Sequence, residues 1–69
     1  MPTRTYAVPD ISCDHCKRAI EGEVAKVGGV ASVEVDVNAK VVHVQGAAAD
    51  DDIRAAIEEA GYDVAGVTG

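Results

Sequence analysis

Cys13 and Cys16 are the only cysteines among 69 residues, and only Asp14 and His15 separate them, in the stretch VPDISCDHCKRAI at residues 8–20. A C-x-x-C pair of this kind can hold a metal ion, cycle between dithiol and disulfide, or simply pack. Cys13 falls just before a helical pattern and Cys16 in its first turn, where free backbone N–H groups and the helix dipole favour anions. Both sulfurs are therefore expected to be more available as thiolates than free cysteine, with Lys17 and Arg18 helping. Cys16 is in phase with Ile20 and Val24, so it should lean toward the core edge and leave Cys13 as the more exposed sulfur.

Two loop thiolates without an obligatory third or fourth ligand suit a soft ion of low coordination number, and Cu(I) fits best. A closed structural zinc site takes four ligands. The chain has only two histidines besides its two cysteines, and His43 is expected on the outer face of a sheet, away from the loop. A thioredoxin-like redox fold would need more strands than the sequence offers, and no aromatic residue flanks the pair. Its only prolines are Pro2 and Pro9. Burial for packing alone fits poorly with a loop running from Asp10 to Lys17.

The elements that must position these sulfurs can be read from periodicity. Thr3 to Val8 reads as a short strand, broken by Pro9 and Asp10. Cys16, Ile20, Val24 and Val27 then recur on one helical face, and Gly28 and Gly29 are expected to end that helix. Gly22 inside it costs roughly 1 kcal/mol relative to Ala. In VASVEVDV, Val33, Val35 and Val37 alternate with Ser32, Glu34 and Asp36, the pattern of a half-buried strand. Asn38 and Ala39 turn it into KVVHVQ, where Val42 and Val44 continue the buried face. Asp50 to Asp52 offer N-cap oxygens and negative charge to a second helix with the stripe Ile53, Ala56, Ile57 and Ala60. Gly61 suits its C-cap, and YDVAGV closes the chain as a last strand.

This order is an α+β, ferredoxin-like βαββαβ arrangement: a four-stranded antiparallel sheet with two helices on one face, in a single domain spanning residues 1–69. Each crossover is expected to join neighbouring parallel strands in the right-handed sense. With no Trp or Phe and two Tyr, the core must be filled largely by Val, Ala and Ile. Twelve acidic against six basic residues give a net charge of −6, which repels phosphate backbones and anionic lipid, so nucleic acid and membrane surfaces are poor partners. That charge favours a partner surface of basic character. The N-terminus lacks the pattern of a secretory signal, and no window approaches about 18 uninterrupted apolar residues. A soluble cytosolic protein is expected, provided Met1 is the natural start.

Three segments together resemble the heavy-metal-associated domain, and in particular its free-standing bacterial copper chaperones. DISCDHC is similar to the family's Gly-Met-x-Cys-x-x-Cys loop, VGGVASVEVDV to its Pro-Gly-Val-x-x-Val-x-Val segment, and IEEAGYDV to its final helix and strand. The resemblance covers nearly the whole chain. It implies a non-enzymatic carrier that binds Cu(I) through Cys13 and Cys16 and passes it, by stepwise thiolate exchange, to the metal-binding domain of a heavy-metal P-type ATPase. It also places Tyr62 near the metal loop. Ile11 replaces the family's Met and can pack beneath the loop in its stead. Asp10 replaces Gly and brings a carboxylate beside the site, which is expected to cap local backbone, the alternative being an oxygen that favours zinc. His15 is expected to point outward and tune the site, the alternative being a third ligand. The metal-free chain is expected to be folded and monomeric, and a dimer sharing one ion between paired loops is the alternative when loaded. The other readings are a zinc- or cadmium-handling domain, a module of a larger metal-transporting ATPase, and a small dithiol oxidoreductase.

Overall fold

The computed structural model describes residues 3–68. The strict alternation of VASVEVD produces β2 (Val30–Asp36), which pairs antiparallel with β3 (Val41–Gly46) in a register that sets Val33 against Val44 and Val35 against Val42. β1 (Thr3–Ala7) lies on the other side of β3, and the three-residue β4 (Gly66–Thr68) completes the sheet in the order β2-β3-β1-β4. Helices α1 (Asp14–Val24) and α2 (Asp50–Glu59) pack against each other, and their apolar stripes meet the inner face of the sheet. This is the expected ferredoxin-like α+β fold.

The connections differ from the expected ones. β1 and β2 are not neighbours, because β3 lies between them, and β1 likewise separates β3 from β4. Each crossover therefore spans an intervening antiparallel strand, and no two parallel strands pair. The core consists of Tyr6, Val8, Ile11, Cys16, Ile20, Val24, Val35, Val42, Val44, Ala48, Ile53, Ala56 and Ile57. Apart from Tyr6 and Cys16 it is aliphatic, as composition required.

Helix ends also depart from the sequence reading. α1 stops at Val24, before the glycines, because its last hydrogen bonds tighten to three-residue spacing, Lys26 N–H to Glu23 O at 3.2 Å and Val27 N–H to Val24 O at 3.0 Å. Val27 still packs against the core. α2 is preceded by Ala49, with no side-chain cap, so Asp50–Asp52 act through charge in the first turn and not as N-caps. The hairpin between β2 and β3 uses residues 37–40, not just Asn38 and Ala39, and Lys40 takes the left-handed conformation at φ 59°. YDVAGV is strand only from Gly66, because α2 ends in a Schellman motif: Gly61 (φ 96°) donates to Glu58 O at 2.9 Å and Tyr62 N–H to Ile57 O at 3.2 Å. Tyr62 is thereby held in a loop.

Where β2 leaves the α1 turn, two backbones come close. Gly46, at φ 140°, has no room for a side chain: a Cβ there would collide with the Gly29 carbonyl and stand 2.7 Å from Ala31 N. Gly46→Ala is expected to destabilise the fold by about 2 kcal/mol or more, read as a lower urea midpoint with unchanged slope; a midpoint equal to wild type would contradict this close approach.

Candidate metal centre

The cysteines are carried by the end of β1 and the start of α1, and both are pinned. Val8 N–H donates to Lys40 O at 2.9 Å on one side of β1, and Ala65 N–H donates to Ala7 O at 2.7 Å on the other. A turn over Pro9 and Asp10 follows, closed by Ile11 N–H to Val8 O at 3.2 Å. Pro9 supplies the fixed φ that the second position of such a turn prefers. Val8 and Ile11, on either side of it, are both 0% exposed. Ile11 thus packs beneath the loop as expected of it.

Cys13 occupies the position before α1 with extended backbone, φ −159° and ψ 173°, and Lys17 N–H donates to its carbonyl at 3.3 Å. Cys13 is exposed while Cys16, one turn into the helix, is 8% exposed, the asymmetry expected from helical phase. The two Sγ atoms are 3.7 Å apart, well beyond the ~2.05 Å of a disulfide. Two bonds of about 2.3 Å, the zinc–thiolate length, can bridge that separation. Among the described residues no three His, Cys, Asp or Glu side chains gather as a metal cluster.

The Cys16 thiol is pulled down to about 6 from the ordinary 9.0. The Tyr62 hydroxyl is the leading cause, followed by the Ser12 backbone; burial works against them, and the Cys13 thiol and Ser12 hydroxyl add to the lowering. Ser12 Oγ lies 3.9 Å from Cys16 Sγ. The Tyr62 phenol is raised in return, first by its bond to Cys16, then by burial and by the charges of Cys16, Cys13 and Asp10. Lys17 and Arg18 take no part in lowering Cys16, because residues one and two positions along a helix do not face each other.

The structure therefore brings Cys13, Cys16, Ile11 and Tyr62 together, with Asp10 near enough to act on Tyr62. Asp10 and His15 are exposed. The turn at Asp10 is closed by backbone groups, and the Asp10 carboxylate is not among the hydrogen-bonding partners described, contrary to the capping role expected of it. Lys40 is the only non-glycine residue with positive φ among the described residues, so Asp10 in place of a glycine costs no left-handed strain. His43 lies on the outer sheet face, its Nδ1 3.0 Å from Thr5 Oγ1. Sequence reading missed Ser12; its signal was a hydroxyl four residues before Cys16, within reach across one helical turn.

The pattern of the heavy-metal-associated domain matches residues 5–63. The chain belongs to that family. It is 39% identical over 67 residues to "Copper chaperone CopZ" of Staphylococcus haemolyticus, covering 93% of this chain and 98% of that protein. A solved structure titled "CopZ metallochaperone" superposes with a TM-score of 0.87 at 35% identity, covering 91% of this chain and 98% of that one. A copper-binding domain from HMA7, a P-type ATPase, reaches a TM-score of 0.91 at 22% identity, covering 100% and 96%, and so shares the fold.

The lowered thiol links folding to pH. An unfolded thiol near 9.0 and a native one of about 6 mean that this stabilisation is complete above pH 9, declines as pH falls, and is gone below about pH 6. In the reduced, metal-free protein, Tyr62→Phe is expected to move the Cys16 midpoint up toward the ordinary thiol value, followed by the ultraviolet absorbance of the thiolate. A midpoint that stays near 6 would remove Tyr62 as its cause.

Proposed function

We propose that this heavy-metal-associated domain is a carrier and not an enzyme, binding Cu(I) through Cys13 and Cys16 and delivering it to the metal-binding domain of a heavy-metal P-type ATPase. The observation that carries this reading is the pair of free sulfurs 3.7 Å apart, one exposed and one buried. A two-thiolate site suits a soft ion. It is also open enough to give its cargo away. An incoming thiolate from the partner can approach from the side of exposed Cys13 while Cys16 keeps hold; Cys13 then leaves first and Cys16 second, so each bond broken is replaced by one formed. The name of the relative cited above, a copper chaperone, supports copper as the cargo, and a P-type ATPase domain built on the same fold supports delivery between two similar surfaces.

Transfer between two exposed loops calls for a small, transient interface. Metal binding needs both thiols reduced, which a reducing compartment such as the cytosol maintains. No helix among the described residues is long and apolar enough to cross a membrane. Empty, the carrier is a monomer; the same exposed Cys13 would let two copies share one ion when no partner is present.

Competition titrations of the reduced protein with Cu(I), and separately with Zn(II), against chelators of known affinity test the proposal. Tight Cu(I) binding that weakens as protons compete for the thiolates is expected. Cys13→Ser and Cys16→Ser should each weaken it by more than about 100-fold, above what loss of an outer hydrogen-bond partner costs. Unchanged affinity in either variant would sink the ligand assignment. A zinc preference that disappears in Asp10→Gly would instead make Asp10 the determinant of the metal.

A further inference from the structure

A four-stranded open sheet has two edges, each a row of free N–H and C=O groups able to pair with another chain. One edge here is β4, which at three residues is too short to be a template. The other is β2, at seven residues the longest strand in the sheet. Its Val35 N–H does not point to β3; it donates to Glu21 Oε2 of α1 at 3.2 Å. Val33, two residues earlier, presents its N–H to the same side, and no acceptor for it is described.

We infer that Glu21 guards the open edge of the sheet, holding the Val35 N–H so that β2 cannot add β2 of a second copy of this chain. The occupant follows from the strand's self-complementarity. A two-fold antiparallel pairing centred on Val33 sets Val33 against itself, Val35 against Ala31 and Glu34 against Ser32, so apolar residues meet and no like charges are opposed. The irregularity between Val30 and Ser32 bends the strand around Ala31. In that pairing Val35 of one copy meets Ala31 of the other. The bulge and the carboxylate therefore obstruct the same two symmetric contacts, one from each strand. This role is independent of metal binding, since Glu21 lies on α1 two turns from Cys13 and touches neither sulfur.

The test is made on the reduced, chelator-treated full chain. Sedimentation equilibrium should find wild type and Glu21→Gln monomeric, because a Gln carbonyl still accepts the Val35 N–H. Glu21→Ala should self-associate about tenfold more tightly or better, and should still do so with Cys13→Ser and Cys16→Ser added, which separates edge pairing from any bridge through the cysteines. Amide exchange in wild type supplies a reading that does not depend on the variant's folding: Val35 should be protected and Val33 should exchange freely. Glu21→Ala as monomeric as wild type, association lost with the cysteines, or equal exchange at Val33 and Val35 would each overturn the inference.

Discussion

Everything at the metal centre depends on the burial of Val8 and Ile11 around the Pro9–Asp10 turn. Each removes a whole aliphatic side chain from water, worth about 1.5–3 kcal/mol apiece. Together with the backbone bonds from Val8 to Lys40 and from Ala65 to Ala7, they fix where β1 ends and at what angle the chain enters α1. Cys13 has no other support of that kind, whereas Cys16 also shares the buried stripe of α1. Cys13 is displayed at the end of a loop and Cys16 at the core edge in the first turn of α1, yet the loop's footing is core. This explains how an exposed site can be preorganised in a domain too small to bury a large interior. It also roots the cysteine loop in the apolar core, whereas a zinc finger's ligands are the fold.

The difference between the two sulfurs has the same origin. Once α1 starts at Asp14, helical geometry puts Cys16 on the stripe of Ile20 and Val24 and leaves Cys13 before the first turn. Tyr62 completes the arrangement from the far end of the chain. The Schellman motif that stops α2 spends the Tyr62 N–H on Ile57 and holds this residue in a loop, and the Tyr62 hydroxyl is the leading cause of the lowered Cys16 thiol. A helix terminator is thus also the device that sets a thiol's acidity. Ser12 acts from the near side, and the two together outweigh the desolvation that would push a buried thiol up.

How much of this was legible beforehand follows from what each signal encodes. Two-residue alternation in VASVEVDV and the Cys16, Ile20, Val24 stripe are local patterns of burial, and they gave the elements, the inner faces and the asymmetry of the cysteines. Strand order is not local. Nothing in β1, α1 and β2 says whether β3 will insert between them, so the expected side-by-side crossovers were misplaced while the fold class was right. Helix ends depart from their signals for a related reason: Gly29 has the residue type of a helix stop, but its positive φ serves the entry into β2 and the close pass by Ala48. Tyr62 opens YDVAGV, which reads as a last strand; the bond that keeps it out of the strand is made by a carbonyl five residues back. Ser12 escaped notice because a lone serine carries no pattern.

The charge of −6 is unevenly placed, and that changes its meaning. Asp50–Asp52 sit at the start of α2, which Arg4 ties to the beginning of β1 through Ala48 O at 2.6 Å, at the opposite end of that strand from the cysteines. Around the loop the balance is closer to even: Asp10, Asp14 and Asp63 lie on the same or adjoining segments as Lys17, Arg18 and Lys40. Surface charges are screened beyond about 8–10 Å in ordinary salt, so a docking partner at the loop meets this mixed rim more than the net charge. The net charge acts instead between copies. Identical acidic surfaces repel, which opposes the symmetric strand pairing that Glu21 obstructs at short range. The carrier proposed above, which would offer its ion to a similar domain and then part from it, is served by both effects, since each disfavours a lasting complex with its own kind while leaving the cysteine loop free.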